Sequence, residues 1–165
     1  MQIPEPSPEH LWLSRLVGEW TIRGEYRMGP DQPTTETTGR ESVRSLGKLW
    51  TIGEWFSGGD AAECDSIMTL GFDPRQDRFV GTFVTGAMTH LWPYVGTLDP
   101  ESRRLTLDSE GPDFLGGKGM SRYQDIIEFQ DDDHRTLTAR VLGSDGEWRT
   151  FMTTHARRIR NDSNV

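Results

Sequence analysis

The chain has 165 residues, 26 acidic against 18 basic side chains, a formal charge of −8 and one cysteine. That length suits a single domain able to bury roughly 70% of its unfolded surface. The acidic balance argues against nucleic acid or an anionic membrane as the main partner, because both repel such a surface. Cys64, alone, leaves no intrachain disulfide and points to a reducing, cytoplasmic setting. Met1 to Pro8 is polar and proline-rich, without a positive flank or apolar run, and reads as neither signal peptide nor anchor.

Ser7 and Pro8 form a helix start: the hydroxyl can cap an early amide, and proline at the first helical position loses no useful donor. Leu11, Trp12, Arg15 and Leu16 recur at helical spacing until Gly18, which predicts a short plug helix over 8–16. From Glu19 the period becomes two, with Trp20, Ile22, Gly24, Tyr26 and Met28 on one face. Runs of the same kind follow at 35–46, 49–57, 64–72, 78–85, 90–98, 104–109, 121–130, 136–142 and 147–157. Between them sit turn signals, among them Gly29-Pro30-Asp31, Gly58-Gly59-Asp60, Asp73-Pro74, Asp99-Pro100, the acidic 131–133 and Ser144-Asp145-Gly146. Short turns between successive strands mean antiparallel neighbours. The expectation is one all-β domain over 1–165: a helix at about 8–16, strands over about 19–158 and a short polar tail.

About ten strands in an open sheet would expose edges, so closure into an up-and-down barrel follows. A barrel of more than about eight strands has room for a ligand as well as side chains. A two-sheet sandwich is the competing architecture, and turn spacing alone does not separate the two.

The segments LVGEW at 16–20, KLWTIGEWFSG at 48–58, SIMTLGFDP at 66–74, RFVGTFV at 78–84, YVGTLDP at 94–100 and SDGEW at 144–148 resemble the uncharacterised bacterial family called domain of unknown function 1579. The resemblance covers nearly the whole chain. It implies a calycin-like barrel with an N-terminal helix, similar to lipocalins, fatty-acid-binding proteins and the haem-binding nitrobindins, and it transfers a fold and no reaction. In lipocalins a first-strand tryptophan packs at the closed end beneath an arginine from the last strand. Trp20 fits the first role and Arg157 or Arg158 the second, as a structural staple whose loss costs stability and not specificity.

Site candidates must point inward, and a one-residue register error reverses every assignment. Glu54 shares a face with Trp50, Ile52 and Phe56, so an inward Glu54 is a carboxylate among apolar neighbours, able to exchange a proton near neutral pH. The bland reading pairs it with Arg40 or Arg44. His90, Trp92 and Tyr94 share a face, and Tyr123, Asp125, Ile127 and Phe129 share another. Rings with polar tips suit a pocket for a flat or amphipathic molecule, or equally are fillers that a wide barrel needs. The ligand-binding candidates are therefore Glu54, His90, Trp92, Tyr94 and Tyr123.

The four histidines, His10, His90, His134 and His155, form no close ligand pair, so no metal site is expected. No cofactor is assigned. A haem needs one axial histidine in an apolar cavity, and the resemblance to nitrobindins makes His155 the alternative ligand, although its parity with Arg149 and Arg157 suggests an outward face. Cys64, in a strand beside Glu63 and Asp65, reads as a buried inert thiol. The glycine-rich 114–119 reads as a loop or lid at the barrel mouth. The function expected is binding of a small hydrophobic or amphipathic molecule inside the barrel. The alternatives are an isomerase or hydrolase using Glu54 or His90 as base, a haem protein, and a packed interaction module. A homodimer is left open.

Overall fold

Each period-two segment becomes a strand hydrogen-bonded to the strand before it, and the last strand returns to the first. A computed structural model describes residues 4–58, 63–114 and 116–160. Helix α1 (Pro8–Ser14) precedes β1 (Gly18–Tyr26), β2 (Thr35–Leu46), β3 (Trp50–Phe56), β4 (Ser66–Asp73) and β5 (Arg78–Thr85). Then come β6 (Trp92–Leu98), β7 (Arg104–Pro112), β8 (Met120–Asp131), β9 (His134–Leu142) and β10 (Trp148–Arg158). All pairings are antiparallel, and β1 meets β10 from Trp20 opposite Arg158 to Tyr26 opposite Met152. That seam closes a ten-stranded barrel and excludes the sandwich.

The expected helix ends earlier, at Ser14, because Arg15, Leu16 and Val17 donate to carbonyls three residues back and tighten the chain into β1. Strand β6 starts at Trp92 and not at His90, and β4 starts at Ser66. Cys64 therefore lies outside the strand and is exposed, which corrects its reading as a buried thiol. The turn expected at 58–60 and the tail at 161–165 fall wholly or partly outside the described residues.

One end of the barrel is packed shut. Trp12, Leu13 and Leu16 from the helix side meet Trp20, Leu70, Phe79, Leu105, Ile127 and Phe129 in a single buried cluster. Trp12 stands edge-on to Phe79 and Phe129, and its indole N–H donates to the Ser102 carbonyl at 2.7 Å. An indole spends most of its surface on apolar contact and satisfies its one donor, the arrangement expected of a plug. His10, buried at the helix start, accepts from the Ser7 amide at 3.0 Å and packs edge-on to Phe72, so it caps this end of the barrel.

Trp20 is fully buried here, its N–H donating to the Leu16 carbonyl at 2.9 Å. The arginine over it is Arg158, 4.2 Å from the ring, and not Arg157, which pairs with Thr21 on the outside. The Arg158 fork also donates to the Val17 and Arg15 carbonyls, tying β10 to the helix–strand junction. A second cation, Arg135, sits 4.6 Å from the same ring. The acidic turn after β8 latches this end, since Asp133 pairs with Arg158 and Arg160, and Asp132 with Arg15.

Candidate functional site

Above the plug the interior is hollow. The connections 27–34, 86–91 and 143–147, together with residues 113–114 and 116–119, all lie at the end opposite the helix, and the hollow runs toward them. Its volume is about 450 Å³, its floor is Glu41 and Arg135, and its rim carries Met28, Met88 and Phe114. Cavities of roughly 300–1,000 Å³ lined mainly by apolar groups are the usual size for small-molecule sites.

The alternation of each strand decides which side chains reach it. On β8, Tyr123, Asp125, Ile127 and Phe129 point inward, and the first two line the hollow. On β6, Trp92 and Tyr94 do the same, with Ser109 from β7 between them and β8. Phe83 on β5 adjoins Trp92, the opposite wall is Trp55 and Met68, and Met152 and Thr154 complete the seam. Gly111 lets the wall close up: the Trp92 ring lies where a side chain on that residue would stand.

Two polar devices sit in this apolar setting. Tyr94 donates its hydroxyl to Asp125, whose remaining exposure is to the hollow. Burial pushes the Asp125 carboxyl up to about 6, with the Tyr94 hydrogen bond pulling the other way. Burial first, and then the neighbouring carboxylate, drives the Tyr94 phenol well above its ordinary value, so it stays a donor. At the floor, buried Arg135 forms an ion pair with Glu41 across the barrel. Among the described residues, three side-chain atoms of the wall are buried without a partner, Trp92 Nε1, Ser109 Oγ and Arg135 Nε.

The connection after β7 folds over the rim. Phe114 lines the hollow, packs 5.9 Å from both Trp92 and Tyr123, and donates its amide to the Tyr123 hydroxyl at 3.2 Å. That hydroxyl in turn donates to the Pro112 carbonyl. The expected lid over 114–119 thus has its first residue in the mouth, whereas Leu115 is outside the described residues.

Of the five candidates, Trp92, Tyr94 and Tyr123 come together in the cavity wall. Glu54 does not: Gly53 and Trp55 face inward, so Glu54 lies on the outer face opposite Ser42 and Ile67. Arg40 places its guanidinium over Phe56 at 5.2 Å. His90 stands outside β6 at the rim, edge-on to Trp92 at 4.8 Å and hydrogen-bonded to the Glu110 carbonyl at 3.0 Å, and does not form part of the wall. Neither is placed to act as a base on a molecule in the hollow. His155 is exposed on the outside of β10, stacked on His134 with a 3.0 Å contact between ring nitrogens. Burial, with Arg157 and His155 nearby, holds His134 below its ordinary value. No histidine lies in the cavity wall among the described residues, so the side chains do not fit a haem held by His155.

The residues missed are Asp125, Glu41 and Arg135. Asp125 was signalled by its place among Tyr123, Ile127 and Phe129, and Arg135 by its alternation with Leu137, Ala139 and Val141. Glu41 carries no such mark, because its strand is mostly polar.

Residues 5–158 match the family described as "Protein of unknown function (DUF1579)". The chain belongs to this family. None of the curated proteins matches it. Among solved structures, this DUF1579 protein is similar to Rv2717c from M. tuberculosis, at 14% identity and a TM-score of 0.62, with 94% of this chain and 100% of that one covered. That likeness is one of fold. Two structures bound to DFHBI, EF1p2_mFAP2b and the redesigned β-barrel mFAP1, align more loosely, at TM-scores of 0.41 and 0.38 and identities of 14% and 15%. They cover 91% and 88% of this chain and 98% and 96% of their own. Among the described residues, no helix is long and apolar enough to cross a membrane.

Proposed function

We propose that this protein binds a small, mainly apolar molecule inside its barrel. The observation that carries the reading is the hollow of about 450 Å³, walled by aromatic and methionine side chains and interrupted by a few polar groups. A barrel meant only as a packed module would fill that volume, since native interiors reach the density of organic crystals. Methionines at the rim, Met28 and Met88, suit an entrance that adapts to its guest. The up-and-down strand order, the N-terminal helix and the Trp20–Arg158 stack support reading the barrel as calycin-like. The lone Cys64 supports a cytoplasmic location.

The test is an equilibrium titration with the neutral fluorescent probe N-phenyl-1-naphthylamine. Saturable one-to-one uptake by the native chain is expected. Ala139→Phe and Thr37→Trp each place a ring in the hollow from a different strand and should weaken uptake by about tenfold or more. Circular dichroism checks that each variant folds. Uptake unchanged in both folded variants, or no uptake by the native chain, contradicts the reading.

A further inference from the structure

The charges of the cavity do not cancel, and what remains is a carboxylate. Glu41 and Arg135 neutralise each other at the floor. Asp125 has no ion-pair partner among the described residues and accepts only from the neutral Tyr94 hydroxyl. The two sites are well separated: Asp125 pairs with Ala139 on β9 and Arg135 lies four residues further down, roughly 13 Å along the strand.

Around that carboxylate the wall is aromatic. Tyr123, two residues away on the same face, packs edge-on to Trp92 at 5.0 Å and to Phe151 at 6.1 Å, with Phe114 closing the group from above. Ring faces attract a cation, and a carboxylate beside them supplies the charge-assisted hydrogen bond an ammonium needs. A carboxylate in apolar surroundings is costly unless something neutralises it. The acidic chain as a whole, at −8, also raises the local concentration of cations.

We infer that the upper wall of the cavity is a recognition site for the ammonium end of a lipophilic amine, with Asp125 as its hydrogen-bond acceptor and the Trp92–Tyr123–Phe114 cluster as its aromatic enclosure. This rests on the reading of the hollow as a ligand site. The apolar body of the amine lies against Met68, Phe83 and Met152. Ser109 Oγ, buried without a partner beside this group, is available as a second acceptor. The inference also sets a pH dependence, because an amine stays protonated where the carboxylate is lost. The titratable or charged groups that line the hollow with Asp125 are Tyr94 from β6, Tyr123 from its own strand, Tyr26 from β1 and, further down, the Glu41–Arg135 pair from β2 and β9, while Asp113 after β7 acts on Tyr123. From β7, β9 and β10 the nearest inward residues are Leu107, Ser109, Ala139, Leu137, Met152 and Thr154, none of which ionises.

The test uses three probes of one shape, 1-naphthylmethylamine, 1-naphthylmethanol and 1-naphthoic acid, titrated into the full chain at pH 7.5 and pH 5.0. Asp125→Asn is measured in parallel; it keeps an oxygen for the Tyr94 hydroxyl and removes the charge. The amine should bind the native chain about tenfold or more tightly than the alcohol at pH 7.5, the size expected of one charge-assisted bond. That margin should shrink at pH 5.0 and vanish in Asp125→Asn. Equal binding of amine and alcohol, or a preference for the acid, overturns the inference and leaves the cavity reading intact if N-phenyl-1-naphthylamine still binds. Failure of every probe, that one included, removes both.

Discussion

Asp125 is the residue at which stability and function pull apart. Its folded carboxyl titrates at about 6 against an ordinary 3.8, so the folded state keeps the proton to higher pH than the unfolded one. Its contribution to stability is therefore fully present below about pH 4 and lost as pH rises through about 6. Asp125→Asn should raise stability at pH 7.5 by on the order of 1–3 kcal/mol and leave it nearly unchanged at pH 4. Denaturant midpoints of the two proteins at both pH values check this, and equal midpoints at pH 7.5 would mean that the carboxylate is not held in an apolar site. Asp125 was legible as an acid within an apolar alternation; Glu54 looked the same and is on the outside. The difference lies in β3, whose outer face carries Trp50, Ile52 and Phe56 while Thr51 and Gly53 face the interior. Trp50 finds its apolar contact outside, against the bare backbone of Gly71 on β4, where a side chain would overlap its ring. A glycine on the neighbouring strand thus creates an outer groove that mimics a core stripe, and no pattern within β3 alone reveals it.

Among the elements, α1 decides that the barrel is closed at one end and hollow at the other. Its seven residues cannot hold a helix by propensity, since isolated helices this short are marginal in water. It is held by burial of Trp12 and Leu13 and by the indole bond to Ser102 across the barrel end. Trp12→Ala should cost about 3–5 kcal/mol, the usual loss for a buried large aromatic, while far-ultraviolet circular dichroism keeps its strand signature at low temperature. A thermal midpoint within a few degrees of the native chain would show that the helix is an ornament and not a plug. The helix itself was legible from Ser7, Pro8 and the spacing of Leu11, Trp12 and Leu16, and the strands from their alternation, because both periods survive in local sequence. The lost turn at Leu16 and the late start of β6 were not legible. They follow from contacts with distant strands: the helix end is pulled in by Arg158, and His90 is drawn to the Glu110 carbonyl of β7.

For the whole molecule, strand count and hollow interior belong together. Ten strands make a ring too wide for its own side chains to fill once a helix has occupied one end, and the space left over is the cavity. Closure was expected from the need to hide edges, and the β1–β10 seam supplies it. How much of the interior stays open was beyond the sequence, because it depends on how far side chains such as Arg135 on β9 and Glu41 on β2 reach toward each other from non-neighbouring strands. The central claim is that this space admits a small molecule, and diffraction from crystals soaked in 1-bromonaphthalene tests it most directly. The account predicts an anomalous bromine peak inside the barrel, between Trp55 and Met68 on one side and Tyr123 and Ala139 on the other. Bromine found only on the outer surface, with those side chains meeting across the centre, would contradict it.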